Sequence, residues 1–318
     1  MIVLLGASGH VGSLFGEKMG QRGITFATIP RTEVAWPDVA SLREALARRD
    51  ASFVINCIGY VGRPNVDACE MDKTACLFAN AVIPGVVRAA CGDLGIPWGH
   101  ISSGCIFSGK GPEDAGFSED DCPNFTFRAP PCSFYSGSKA LGEEVLGWRE
   151  ADYEDGQKRW ISNESPEGYI WRLRMPFGPQ PGPRNYLDRV ASYPRLLEAS
   201  NSITDFSAFV DACLACMEKR LPTGIYHLCN PGVITTRQIT EWMLEENRRR
   251  ASLGQSKPFP EEFHFFRDEV AFHREASPVP RSSCALDCSK ALYHGIALEP
   301  VEKAVVRALR AWPAEHRE

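Results

Sequence analysis

Ile2-Val3-Leu4-Leu5-Gly6-Ala7-Ser8-Gly9-His10-Val11-Gly12 opens the chain with a short apolar run followed by three glycines at three-residue spacing. Four apolar residues closed by a glycine have the pattern of a buried strand, and Leu14, Phe15 and Met19 then recur at helical spacing. A strand, a glycine turn and a helix start together make a phosphate site, because free backbone N–H groups and the positive end of the helix face the anion. Gly6, Ser8, Gly9, His10, Val11 and Gly12 are therefore the candidate contacts for a dinucleotide pyrophosphate.

Further strand patterns follow at residues 24–29, 52–58, 98–102 and 168–174, with helical patterns at 39–49, 69–91 and 133–148 between them. This alternation predicts an α/β fold, a Rossmann-type doubly wound parallel sheet with helices on both faces. Ligands in such sheets lie beyond the carboxyl ends of the strands, where Gly6, Cys57, Gly59 and Ser103 should meet. The second strand ends in Pro30-Arg31-Thr32, where an NAD site usually carries an acid for the ribose 2′-hydroxyl. Arg31 suits a 2′-phosphate instead, so NADP(H) is preferred and NAD(H) is kept as the alternative.

Residues 108–131 are polar and rich in Pro, Gly and Asp, too long for a passive connection and better read as a loop covering the site. Residues 152–167 read as a polar, mobile excursion. Beyond residue 176 the alternation becomes irregular, with helical patterns at 186–199 and 206–220, a strand at 225–229 and a helix from Thr236 to 250. The expected organisation is a cofactor-binding domain over 1–175, with 202–228 returning to it, and a smaller substrate lobe from 176–201 and 229–318.

Bulk properties narrow the classes. The 318 residues, 44% hydrophobic and 24% charged, suffice for one large domain with a smaller lobe. The net charge is −5 and basic residues are scattered apart from Arg248-Arg249-Arg250, so no nucleic-acid partner is expected. No apolar run approaches the roughly 18 residues that span a bilayer, and Met1 leads straight into a strand pattern, so the expectation is a cytoplasmic protein without a membrane partner. In that reducing setting the 12 cysteines read as small buried residues. Cys213-x-x-Cys216 and Cys284-x-x-x-Cys288 lack a second pair at zinc spacing, so no metal is expected.

Tyr135-Ser136-Gly137-Ser138-Lys139 places a phenol and an ammonium one helical turn apart, able to face the same bound molecule. A nearby ammonium favours the phenolate, so Tyr135 is expected to have a lowered pKa. The spacing alone is close to what chance supplies. With the glycine turn and Ser103 in a strand-end loop, however, the chain resembles the extended short-chain dehydrogenase/reductase superfamily. Gly62-Arg63-Pro64-Asn65-Val66-Asp67, Gly104-Cys105-Ile106-Phe107, Pro123-Asn124-Phe125, Arg174-Met175-Pro176, Pro183-Arg184-Asn185, Asn230-Pro231-Gly232-Val233 and Pro280-Arg281-Ser282 narrow it further. They resemble the rhamnose-pathway enzymes of plants and large viruses, combined 3,5-epimerases and 4-reductases of UDP-4-keto-6-deoxyglucose related to bacterial dTDP-4-dehydrorhamnose reductase.

The resemblance implies hydride transfer from a nicotinamide to a C4 ketone, a proton from Tyr135, a ribose contact from Lys139 and a hydrogen bond from Ser103 to the ketone oxygen. It places Asn80 and Pro176 with the cofactor, and Arg63, Asn65, Gly104, Asn124, Arg184, Asn185, Arg189 and Arg281 with a UDP- or dTDP-linked sugar. Arg184 and Arg281 are the candidates for its pyrophosphate. A homodimer through the helices at 69–91 and 133–148 is also implied. Cys105 stands where the family has a thiol that removes and returns the C3 and C5 protons, but the partner lysine is replaced by Arg189. An arginine keeps its proton and is a poor shuttle, which leaves the epimerisation open. Residues 126–132 insert several residues relative to the family. Two other readings are a non-catalytic NADP-binding regulatory subunit, disfavoured because Ser103, Tyr135 and Lys139 are all present, and an epimerase or dehydratase without net reduction. Gly104, where a dehydratase carries an acid, disfavours the dehydratase.

Overall fold

The computed structural model describes residues 1–162 and 168–313. The first half runs β1 (Ile2–Leu5), α1 (His10–Gln21), β2 (Phe26–Ile29), α2 (Val39–Ala47) and β3 (Phe53–Asn56), then short helices α3 (Ala68–Met71) and α4 (Lys73–Leu77). A π-turn at Phe78–Val82 leads into α5 (Ile83–Leu94), followed by β4 (Trp98–Ser103) and α6 (Phe134–Val145). The long helix expected at 69–91 is thus broken. Asp72, with φ −117° and ψ 64°, ends α3, and its carboxylate accepts the N–H of Ala75 to start α4.

The chain continues with a hairpin of β5 (Trp148–Asp152) and β6 (Lys158–Ser162), then β7 (Gly168–Leu173) and β8 (Pro176–Phe177). The hairpin corrects the expected mobile excursion, since ladder pairing takes up its first part, while 163–167 lie outside the described residues. Next come α7 (Tyr186–Ser192), β9 (Ser200–Asn201), β10 (Thr204–Asp205), α8 (Phe206–Glu218), β11 (Gly224–His227), β12 (Ile234–Thr235) and α9 (Thr236–Ser252). Helix α7 is shorter than the expected 186–199, because Leu196 exchanges backbone hydrogen bonds with the 264–266 segment and leaves the helical path. Helices α10 (Glu269–Glu275), α11 (Ser289–Tyr293) and α12 (Val301–Arg310) complete the described chain.

Six parallel strands form the main sheet in the order β11-β7-β4-β3-β1-β2. β1 lies between β2 and β3 with Leu5 opposite Ile29 and Asn56, so the glycine turn leaves the middle of the sheet. β3 and β4 bury both faces, so their sequences do not alternate, whereas the edge strand β2 leaves Thr28 exposed. Val3, Leu5, Val54 and Ile170 meet Leu42 of α2 and Val86 and Val87 of α5 on one face. Leu4, Ile55, Trp171 and Tyr226 meet Phe15 of α1 and Phe209 of α8 on the other. A separate core of Leu187, Ile203, Ile239, Met243, Val305 and Leu309 holds α7, α9 and α12 together.

Lys73–Leu94 is 22 residues of continuous helical structure, long and apolar enough by length and composition to cross a membrane. This corrects the expectation that no such run exists. Half of its apolar window is buried inside the protein, with Val86, Val87 and Ala90 in the sheet core.

Candidate active site

The glycine turn has the shape an anion cradle requires. Gly6 sits at φ +75°, and a Cβ there would come within 3.0 Å of the backbone of Cys57 and Ile58. A Cβ on Gly12 would lie 2.2 Å from the Gly6 carbonyl oxygen, so the helix packs against the turn only because that position is bare. Gly9 caps α1 without any side-chain hydrogen bond to its first N–H groups. Ser8, Gly9 and His10 are exposed, Val11 is half-buried and Gly12 is buried. The His10 ring stacks on Phe206 at 4.5 Å. This bare, uncapped helix start fits a dinucleotide phosphate.

Arg31 lies in a short turn just past β2, exposed and without an ion-pair partner among the described residues. The acid next to it, Glu33, is instead clamped by Arg49 at 2.7 Å and by Arg48, and these guanidiniums hold its carboxyl well below the usual range. The only free charge at that strand end is therefore positive, among the described residues.

The reactive cluster forms where β4 ends against α6. Ser103 is buried, and its Oγ accepts the N–H of Cys105 at 3.2 Å, fixing the Gly104–Ile106 turn. Gly104 packs closely under Leu286, whose terminal methyl would lie 2.5 Å from a Cβ there and would have to shift. Ser133 caps α6 through the N–H of Ser136, and Glu70 accepts the N–H of Phe134 at 2.7 Å. That start sets the phase of the helix, so Tyr135 and Lys139 both face β4. The hydroxyls of Ser103 and Tyr135 come together at the centre of this cluster. Lys139 Nζ donates to the carbonyl of Ile101 at 2.9 Å, and the other two of its three donors remain for a ligand.

The expected lowering of the Tyr135 pKa is corrected. Burial pushes the phenol well above its ordinary value, with the nearby Cys105 and Cys69 thiols acting the same way and the Ser103 hydroxyl opposing. Burial also brings the Lys139 ammonium down. Desolvation outweighs the attraction that spacing alone suggested. Tyr135 is held as the neutral acid, the form that gives a proton.

Asn80, Gly59 and Cys57 converge on the same lysine. A Cβ at Gly59 would lie 3.4 Å from Asn80 Oδ1 and 3.7 Å from Lys139 Nζ. The Asn80 side chain, fully buried, accepts from Tyr60 N and donates to Tyr60 O at 2.9 Å each and to Ser138 Oγ at 3.0 Å. Its amide is spent on tying the loop after β3 to the helix that carries Tyr135. Burial raises the Cys57 thiol, and Lys139 opposes this. Pro176 begins β8 just past the end of β7.

Among the sugar candidates, Arg63, Arg184 and Arg189 gather. Arg184 donates to the carbonyl of Gly62 at 2.9 Å, and burial, then Arg189 and Arg63, lower its pKa. It also interacts with Tyr135 and His10, so this positive cluster adjoins the reactive centre. Arg281 stands apart: its guanidinium is held by both carboxylate oxygens of Asp67, at 2.5 and 2.7 Å. Asn65 accepts from Asp67 N, Asn124 exchanges two hydrogen bonds with the Ser108 backbone, and Asn185 caps α7 and binds the carbonyls of Gly178 and Gln180. Asn124 and Arg281 do line a cavity of about 440 Å³ with Phe125, Pro131, Glu269 and His273. The covering loop at 108–131 is anchored, not free, since Gly109 and Phe117 bridge to Cys284 and Leu286.

Two residues of the cluster carried no role in the sequence reading. Ser136 is in side-chain contact with Cys105, and Arg174 lies buried beside it. The only signal was their presence in quoted motifs.

The fold places the chain among Rossmann-type α/β proteins, and comparison with known proteins narrows this. Residues 1–153 match the model of the RmlD substrate binding domain. A bifunctional dTDP-4-dehydrorhamnose 3,5-epimerase/dTDP-4-dehydrorhamnose reductase of Arabidopsis thaliana is 30% identical over 251 residues, 75% of this chain and 73% of that protein. A trifunctional UDP-glucose 4,6-dehydratase/UDP-4-keto-6-deoxy-D-glucose 3,5-epimerase/UDP-4-keto-L-rhamnose-reductase of the same plant is 30% identical over 244 residues. The chain spans 33% of that longer relative. The crystal structure of a UDP-rhamnose synthase from Acanthamoeba polyphaga mimivirus superposes with a TM-score of 0.80 at 18% identity, covering 98% of each chain. The chain belongs to the RmlD substrate-binding family.

Proposed function

We propose that the protein uses NADPH to reduce the C4 ketone of a nucleotide-activated 4-keto-6-deoxy sugar, as a step in making a rhamnose-like deoxysugar. The observation that carries this is the meeting of the Ser103 and Tyr135 hydroxyls beside the buried Lys139, in a chain related to dTDP-4-dehydrorhamnose reductases. A bound NADPH supplies the hydride. Ser103 and Tyr135 hold the ketone oxygen between two hydroxyls, so the charge that develops there is met by donors already in place. Tyr135, kept neutral by burial, releases its proton to that oxygen. Lys139, fixed on Ile101, directs its remaining N–H groups to the ribose. Arg31 prefers the 2′-phosphate, and Arg63, Arg184 and Arg189 take the sugar pyrophosphate, with Arg281 at the rim of the adjoining cavity.

Residues 1–175, rejoined by 202–228, bind the cofactor, and 176–201 with 229–318 bind the sugar. In support, α8 packs on the sheet face beside α1 and β11 pairs with β7. We take the protein as a cytoplasmic homodimer that docks through α5 and α6. Val82, just before α5, and Leu94 at its end are exposed, and a groove lined by Gly85, Arg88, Ala89 and Val145 runs between the two helices. Cys105 retains a thiol for proton exchange at C3 and C5, whereas Arg189 leaves the opposite face without a shuttle.

Incubation with UDP- or dTDP-4-keto-6-deoxyglucose tests this. NADPH should be consumed, and no oxidation with either sugar would overturn the proposal. Deuterium uptake at C3 and C5 in heavy water reports the epimerase half separately.

A further inference from the structure

Arg174 is an anomaly for a structural residue. It ends the β7 segment nine-tenths buried, at 6% exposure, and has no carboxylate partner among the described residues. Its Nε is buried without any hydrogen-bond partner. The neighbouring buried arginine, Arg172, shows the usual arrangement: Glu143 accepts from both its Nε, at 2.9 Å, and its Nη2, at 2.5 Å. An uncompensated buried cation costs several kcal/mol, a cost that persists where an anion forms beside it during function.

The hydrogen bonds of Arg174 identify that neighbour. Its Nη2 donates to Asn201 Oδ1 at 2.7 Å and to the Ser282 carbonyl at 2.5 Å. Asn201 Oδ1 also accepts the N–H of Cys284 at 3.1 Å, and Cys284 Sγ donates to the Gly104 carbonyl at 3.2 Å. Ser282 Oγ donates to the Phe107 carbonyl at 2.5 Å. Arg174 thus grips the 282–284 strand, which in turn holds both ends of the turn bearing Cys105. The groups around the Cys105 sulfur are the hydroxyls of Ser103 and Ser136, the cations Arg174 and Lys139, Tyr135, and the thiols of Cys69 and Cys132. Burial raises that thiol, and these hydroxyls and cations oppose it. Of the two cations, Lys139 already faces Glu143 and is assigned to the ribose.

We propose that Arg174 is the positioning residue for Cys105, holding its turn against the 282–284 strand and supplying the buried positive charge that stabilises the thiolate. This deepens the reading above and rests on it for the identity of the reaction. The thiolate accepts the proton from C3 or C5, the C–H electron pair becomes the enolate of the adjacent ketone, and the S–H, once its proton has exchanged with solvent, returns one to that carbon.

The test uses the full chain and two substitutions, Arg174→Gln and Arg174→Lys. Iodoacetamide labelling of Cys105, followed by mass spectrometry of its peptide across pH, reads the thiolate without any sugar. An opposite charge within a few Å shifts a pKa by about one to three units. Arg174→Gln should therefore move the Cys105 labelling midpoint up by at least about one pH unit, a tenfold slower reaction at fixed pH. Arg174→Lys keeps the charge but not its reach, so it should move the midpoint the same way by less, and it decides the matter if the glutamine variant does not fold. Deuterium uptake at C3 and C5 should fall in parallel. Unchanged midpoints in a folded variant would overturn the proposal. Shifted midpoints with no deuterium uptake in the unsubstituted enzyme would leave the role of Arg174 standing and overturn the epimerase reading instead.

Discussion

At the residue scale, ionisation of the reactive pair runs opposite to what spacing suggests. Tyr135 is raised and Lys139 lowered, both by burial. On raising pH, Lys139 loses its proton first, below its ordinary value of 10.5, while Tyr135 stays protonated past 10. The alkaline limb of kcat/KM for NADPH is therefore expected below pH 10.5, carried by a rising KM, and a limb first appearing above that pH contradicts the assignment. Tyr135→Phe should lower kcat by about 10²-fold or more and leave NADPH affinity within a factor of about two, measured by fluorescence titration. Arg31, unpaired beside the clamped Glu33, should set cofactor choice. Arg31→Asp is expected to cut the NADPH to NADH preference by about tenfold, roughly 1.4 kcal/mol, in paired steady-state assays.

At the scale of elements, the glycine turn and the buried ion pair do different work. A methyl at Gly12 has no room, being 2.2 Å from the Gly6 oxygen. Gly12→Ala should therefore weaken NADPH binding at least about tenfold by calorimetry. Arg172 and Glu143 are both fully buried and tie β7 to the catalytic helix α6, with Ser102 Oγ donating to Glu143 at 2.6 Å. Removing one partner strands the other charge, so Glu143→Gln should cost about 3–5 kcal/mol in urea unfolding; a loss below about 1 kcal/mol would show the pair to be dispensable. Much at this scale was legible. The strands at 52–58, 98–102 and 168–174 announce themselves by large apolar and β-branched residues without polar alternation, as suits strands buried on both faces. The hairpin of β5 and β6 was not legible, because its exposed strands carry charges such as Arg149, Glu150, Lys158 and Arg159 that read as a polar loop.

At the scale of the whole molecule, the loops at 62–67, 108–131 and 277–284 come together, Gly109 of the second bridging to Cys284 of the third. The Asp67–Arg281 pair joins the first of these loops to the last. The proposed dimer rests on α5 and α6, where Gly85, Ala89 and Gly92 in the groove would let two helices approach. Ala89 is exposed there, and Ala89→Arg should convert a dimer to a monomer in sedimentation velocity without lowering the melting temperature by more than about 2 °C.

The sequence by itself determined the parallel sheet, the glycine turn, the Ser103, Tyr135 and Lys139 trio and the family to which they belong. Each is a local pattern, in which apolar period, bare backbone or one-turn spacing is written in consecutive residues. Only the tertiary structure decided how these groups titrate, that Asn80 ties the loop after β3 to α6, that Asp67 claims Arg281, and that Arg174 lies buried near Cys105 with no carboxylate partner among the described residues. Those outcomes depend on burial and on partners as much as 214 residues apart, and neither desolvation nor the competition between distant partners leaves a periodic trace in the chain.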